Sequence, residues 1–279
     1  MITALYLTVS LPASAVSVQG RGSGATQAEP NPAPAGPTTI SPADADQLAA
    51  AMNVPGADLN WADLMGSDTD GVGVSNAPFA NWFPRAGGTF AILSTGLAAN
   101  AGPPKPPTSP SGKLTGLFNS DLGDVVRLQL NLNVPSNVNC LSFDFAFHST
   151  EFPQPSGTIG NDTFTAQLDD DALSIVDGVV VAPGNFAVDG AGNNVSVKGG
   201  FSITTFTQSA YYGATSLFRA STPVTAGSTI NLYLSIQDLK DDEIDSTVFL
   251  DNFRWSTQAC QPGLKDLISS VYLPLMAQP

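Results

Sequence analysis

Five acidic side chains fall within eight positions, Asp238, Asp241, Asp242, Glu243 and Asp245, between two apolar runs that read as strands. Like charges crowded on one turn repel each other unless water or a cation stands among them. Calcium suits such a turn, because it is a hard cation that takes six to eight oxygens from carboxylates, amides and backbone carbonyls on loops. A second oxygen-rich loop carries Glu151, Asn161 and Asp162. If the two loops meet at one end of the fold, Glu151, Asn161, Asp162, Asp238, Asp241, Asp242 and Asp245 make an oxygen cage and Ca2+ is the expected cofactor. The other reading of the 238–245 run is an acidic turn held in water. Asp169-Asp170-Asp171 reads as such a solvated turn. The stretch Gly66-Ser67-Asp68-Thr69-Asp70-Gly71 has the alternating acids of a calcium loop but lacks the downstream bidentate glutamate of an EF-hand.

Catalytic chemistry has little to work with. The single histidine is His148, and no Gly-x-Ser-x-Gly elbow offers it a nucleophile. A zinc site wants several His or Cys ligands, which this chain does not supply. A glycosidase needs only two carboxylates. Glu151 and Asp162 are the pair on offer, and nothing in the sequence singles them out, so the chain reads as non-enzymatic. A binding role fits better. Trp61, Trp82, Phe83, Tyr211 and Tyr212 lie in loop-like stretches, where an aromatic ring either packs into a turn or offers a platform to a glycan. Trp255 closes the last strand pattern and reads as core. Asp251-Asn252, inside that strand, is similar to the ending of jelly-roll carbohydrate modules that hold a structural calcium.

These groups have to be positioned by strands and turns. Of 279 residues 42% are hydrophobic, enough for a sizeable core, while 26 glycines and 22 prolines favour short strands joined by turns. With 24 acids against 10 bases the net charge is −14, which repels nucleic acid and anionic membrane surfaces. Residues 1–16 are apolar and Ala13-Ser14-Ala15 resembles a cleavage site, although no base precedes Arg21, so this segment reads as a signal remnant. Residues 17–40 read as a flexible Pro/Gly/Ala leader. One domain is expected over 41–260. Ser41-Pro42-Ala43-Asp44 has the chemistry of a helix start, with Ser41 as the cap, and Leu48, Ala51 and Met52 share a face of the helix that follows. Strands are expected at 72–74, 89–94, 114–118, 125–132, 141–147, 163–168, 178–182, 194–197, 201–207, 229–236 and 247–254. Leu141 to Phe147 alternates most cleanly. The Pro-rich stretch 101–112 cannot enter a sheet interior. About ten short strands with one short N-terminal helix predict an all-β, two-sheet, jelly-roll-like sandwich. The segment 261–279 is too short to span a bilayer. It reads as a tail that closes the sheet, sorts the protein or pairs with a neighbouring subunit.

Three segments, in order, carry a resemblance to a known family. The first is GVGVSNAPF (71–79) with AGGTFAILSTG (86–96), the second FDFAFHSTEFP (143–153) with GNDTFTAQL (160–168), and the third TINLYLSIQDLKDDEIDSTVFLDNF (229–253). Together they resemble the choice-of-anchor L domain of exported and surface-attached bacterial proteins, over about 71–255. Glu151, Asn161 and Asp162 match that family's acidic and Asn-Asp positions. Two departures remove carboxylates: Thr150 precedes Glu151 where the family has paired acids, and Gln154 stands where it has an acid after the proline. The resemblance implies location outside the cell more than it implies chemistry. The expected function is a non-catalytic extracellular or cell-surface module for adhesion or matrix assembly. Its partners would be a glycan, another surface protein or copies of itself. The alternatives are a secreted carbohydrate-binding module and an extracellular polysaccharide hydrolase. Cys140 and Cys260 each sit at the edge of an apolar run. They are either two unrelated thiols or, in an exported chain, a disulfide that closes most of the domain.

Overall fold

The computed structural model describes residues 40–65, 67–79, 81–102, 118–119, 123–151, 161–199, 204–205, 210–239 and 245–268, with the backbone alone at 118, 119, 123, 204 and 205. The signal remnant, nearly all of the leader, the first residues of the strand expected at 114–118, and the tail beyond 268 lie outside the described residues. So do Asp241, Asp242 and Glu243.

One α-helix, α1 (Ala45–Ala51), opens the described chain. The strands that follow are β1 (Leu59–Asp63), β2 (Val72–Ser75), β3 (Phe90–Ser94), β4 (Phe118–Asn119), β5 (Gly123–Asn133), β6 (Cys140–Ser149), β7 (Thr163–Leu168) and β8 (Ser174–Val176). Then come β9 (Val179–Val181), β10 (Val195–Ser196), β11 (Thr204–Thr205), β12 (Gly213–Ala214), β13 (Phe218–Pro223), β14 (Thr229–Gln237), β15 (Ser246–Ser256) and β16 (Gly263–Asp266). They build an antiparallel six-stranded sheet, ordered β1-β5-β14-β7-β10 with β4 beside β5, and an eight-stranded sheet, ordered β11-β12-β6-β15-β3-β2 with β13 on β6 and β16 on β13. β8 and β9 form a separate hairpin. The fold is the expected all-β sandwich with one short helix.

The core follows from alternation. Val126, Leu128, Leu130 and Leu132 of β5 and Ile230, Leu232, Leu234 and Ile236 of β14 face Leu141, Phe143, Phe145 and Phe147 of β6 and Val248 and Leu250 of β15 in one buried cluster. Helix α1 adds Leu48, Ala49 and Met52 to it. Its cap is a correction. Asp44, not Ser41, takes the N-cap, in a capping box with Gln47. The Ser41 backbone is spent on a two-way bridge to Val74 (2.9 Å each way), so the helix starts one turn later than the Ser-Pro signal suggests.

A second difference matters more for function. All ten residues of β6 are buried. Its far face packs under a second apolar cluster of Phe79, Phe83, Phe90, Ile92, Tyr211, Leu217 and Phe249, drawn largely from loops. Of the two readings open for Phe83 and Tyr211, packing holds: both are core residues, at 2% and 1% exposure. Cys140 and Cys260 form a disulfide. Past it, β16 pairs with β13, so the sheet runs beyond Cys260 and the segment that follows supplies a closing strand. No helix among the described residues is long and apolar enough to cross a membrane.

Candidate functional site

The described ends of the two acidic loops meet. β6 leads into Glu151, β7 begins just after Asn161 and Asp162, β14 ends just before Asp238, and β15 begins just after Asp245. These ends of neighbouring strands share one rim of the sandwich. Hydrogen bonds tie the rim together. Asp162 N donates to Glu151 Oε2 (3.0 Å) and Leu239 N donates to Asp162 Oδ1 (3.1 Å). Thr150 donates from both its backbone N (3.0 Å) and its Oγ1 (2.8 Å) to the Asp245 carbonyl. Glu151, Asp162, Asp238 and Asp245 are all buried, at 4%, 0%, 1% and 2% exposure.

Burying carboxylates beside one another raises their proton affinity, since desolvation and like charge both disfavour the ionised form. Asp162 shows this directly. Burial pushes its pKa well up, and Asp238 and then Glu151 push it further. The nearby Ser246 hydroxyl and the Leu239 N–H pull the other way, and no basic side chain among the described residues is an influence. Asp162 Oδ2 is buried without a hydrogen-bond partner. Tyr211, whose hydroxyl is 3.2 Å from Ser94 Oγ, feels both Asp245 and Asp162, and burial drives its pKa upward. The Asn161 Oδ1 accepts from Lys198 N (2.9 Å). Among the described residues no three acidic, imidazole or thiol groups stand as a ready-made metal cage.

Gly96 forms one wall of this rim. A Cβ there would strike the Asp245 carboxyl group more closely than real Cβ atoms approach anything. Gly96→Ala is expected to push Asp245 out of the cluster and to cost about 1–3 kcal/mol, as overpacking does. A urea unfolding midpoint equal to wild type would refute this.

The other titrating groups play structural parts. His148 is fully buried between Phe79, Phe249 and Tyr211, and desolvation lowers its pKa to about 3. It faces no solvent and offers no general base to a substrate. Asp251, next to Asn252 in β15, is held by backbone donors, its carboxylate accepting from Arg85, Ala86 and Asn252. Beside it, the buried Asp144 binds Arg219 through Nε (2.7 Å) and Nη2 (3.1 Å), Arg85 through Nε (3.2 Å), Arg254 through Nη2 (3.5 Å) and Asn252 through Nδ2 (2.7 Å). Sequence reasoning missed this network. The only local signal was an acid at the polar position of the best-patterned strand. Asp68 caps a short 3₁₀ turn through Asp70 N (2.9 Å), and Asp169 accepts from Asn231 N (2.7 Å). Trp255 is partly buried against the core and donates to Asp58 Oδ2 (2.9 Å).

Comparison with known sequences bears on this rim, because the choice-of-anchor L domain model matches residues 66–254, from before β2 to the last turns of β15. The chain belongs to that family. The match takes in Glu151, Asn161, Asp162, Asp238 and Asp245 and leaves α1 and β16 outside. No curated protein matches this choice-of-anchor L chain. Among solved structures it is similar to CBM28, a carbohydrate-binding module specific for non-crystalline cellulose, at 12% identity over 62% of this chain and 78% of that one, with a TM-score of 0.31. It is also similar to the mannan-recognising module TmCBM27, at 17% identity over 71% and 95% of the two chains, with a TM-score of 0.29. The enzymatically active domain of tailspike protein 4 of bacteriophage CBA120 follows, at 11% identity over 70% and 19%, with a TM-score of 0.28. Superpositions this loose carry no functional argument.

Proposed function

We propose that this choice-of-anchor L domain is a non-catalytic module displayed outside the cell for adhesion or matrix assembly, and that a calcium ion bound at the rim of Glu151, Asp162, Asp238 and Asp245 stabilises it. Family membership and the disulfide, a bond that persists in oxidising compartments, support the location. The observation that carries the cation reading is Asp162, a buried carboxylate flanked by two acids with one oxygen unpartnered. A divalent ion would cancel that repulsion, and calcium accepts carboxylate and carbonyl oxygens in flexible geometry. Its remaining oxygens would come from backbone carbonyls, water and the adjoining segments. Asp241 and Asp242 belong to one of these.

The test is a melting curve with and without calcium. At a hundredfold excess over its dissociation constant the ion is expected to add about 2.7 kcal/mol, which is about 5–10 °C for a domain of this size. Asp162→Asn is expected to abolish that increment and to be more stable than wild type in chelator, since an amide removes one of the mutually repelling charges. An unchanged melting temperature of the wild type on adding calcium sinks the reading.

A further inference from the structure

The solvent face of the six-stranded sheet carries a row of side chains that sheet stability does not explain. Where Leu128, Leu130, Leu132, Leu232 and Leu234 point into the core, their neighbours point out. Cross-strand register places Trp61 beside Asn131 and Asp63 beside Gln129. It then sets Asn231 beside Asn131, Tyr233 beside Gln129 and Thr229 beside Asn133. Partners directly opposite in an antiparallel ladder share a face, so these residues form one surface.

Their side chains are already organised. Asn131 Nδ2 donates to Asn231 Oδ1 (2.8 Å), and Gln129 Nε2 donates to Asn231 Oδ1 (3.2 Å) and Tyr233 OH (3.1 Å). Asn60 and Asn133 exchange amide bonds at 3.1 and 2.6 Å, and Asn60 Nδ2 also reaches Asn131 Oδ1 (2.9 Å). Asparagine is depleted in strands, where a β-branched residue would pack better. Yet Asn131, Asn133 and Asn231 occupy the two long central strands of this sheet. Trp61 is 43% exposed at one side of the row. The acidic turn at 169–171 rises on the other, tied down through Asn231 N to Asp169 and through Arg127 Nη1 to the Asp171 carbonyl (3.1 Å).

From this juxtaposition we infer that the β1-β5-β14 face is a binding platform for an uncharged polysaccharide. Amides that each offer donors and an acceptor match sugar hydroxyls, which do the same. Their mutual bonds fix them before the ligand arrives, which lowers the ordering cost of binding. Trp61 and Tyr233 supply aromatic faces two strands apart. With strands ~4.8 Å apart and ~3.4 Å per residue along them, the two lie roughly 12 Å from one another, a span filled by a few linked sugar rings. Asp63 and the turn at Asp169, Asp170 and Asp171 make the surroundings negative, and Tyr233 feels all three acids of that turn. An anionic polymer is therefore disfavoured. Few aliphatic groups are offered to a protein partner. The inference extends the reading of a displayed module by naming what it holds. Its residues are separate from the carboxylate rim, so the two readings fail in different experiments.

The test is affinity electrophoresis of the full chain through native gels containing mixed-linkage β-glucan, galactomannan, xylan or polygalacturonate. At least one of the three neutral polymers is expected to retard the wild type, in chelator as well as in calcium. Trp61→Ala, Tyr233→Ala and Asn131→Ala are each expected to weaken that retardation at least tenfold, with circular-dichroism melts near that of wild type. A control at the β8–β9 hairpin, Val179→Thr, should leave it unchanged. Retardation by polygalacturonate alone, retardation by none of the polymers, or retardation untouched by Trp61→Ala each overturns the proposal.

Discussion

Reduction, or the pair Cys140→Ser with Cys260→Ser, is expected to lower the unfolding free energy by about 4–5 kcal/mol, because the bridged residues are 120 positions apart. For a domain of this size that is about 10–20 °C in melting temperature. The loss falls where the sandwich is best connected. Cys140 opens β6, which pairs with β15 on one side and with β13 and β12 on the other. Cys260 lies between β15 and β16. Unbridged, the chain between them gains conformational freedom chiefly in the unfolded state, so the native fold need not change. Calorimetry with and without reductant measures the effect. A shift under 2 °C would mean that the unfolded chain is as restricted without the bridge as with it.

Acid is expected to unfold the protein partly through one residue. His148 is neutral in the fold with a pKa of about 3, against 6.5 in an unfolded chain. Below pH 6.5 the unfolded state gains a proton that the native state refuses. Stability is therefore lost as pH falls from 6.5 towards 3, by about 4–5 kcal/mol in all at 1.36 kcal/mol per unit. Asp162 works in the opposite sense, since a raised carboxyl pKa means stability is gained as pH falls through its folded value. The comparison that isolates the histidine is a difference between two proteins that share every carboxylate. Relative to wild type, His148→Gln is expected to gain about 4 kcal/mol between pH 6.5 and 3 in denaturant titrations, whatever its stability at neutral pH. A difference that stays constant over that range would show that His148 titrates like a solvated imidazole.

Much of the sandwich was legible because its central strands alternate strictly. VRLQLNL, LSFDFAF and INLYLSI each carry one apolar face, and each became a long strand of the expected sheet. Alternation also misled. It suggests that the second face of a strand is wet, but Ser142, Asp144, Ala146 and His148 are all buried. Ala146 and His148 lie against the loop residues Phe79 and Tyr211, and Asp144 lies beneath three arginines. A loop that folds back over a sheet has no periodic signature. β13, with the sequence FRASTP, has too few apolar positions to show a period, and its pairing with β6 is what defines it as a strand. At the rim, the sequence named Glu151, Asp162, Asp238 and Asp245, which do converge. Asn161 stands beside them with its amide oxygen accepting from Lys198 N. The arginines around Asp144 come from positions 85, 219 and 254, too far apart in the chain for any spacing rule to join them. The amide row was invisible because facing asparagines become neighbours only once register is known.

The disulfide has a mechanical consequence. If tension is applied across the two sides of the domain, a bridge between residues 120 positions apart withholds all the chain between them from extension. That is roughly 400 Å of contour length. β6, β7, β14 and β15 lie inside the withheld loop, whereas β1 and β5 lie outside it. Force can thus peel β1 and β5 away while the Asp162 rim and the Tyr233 half of the amide face stay within the loop that the disulfide closes.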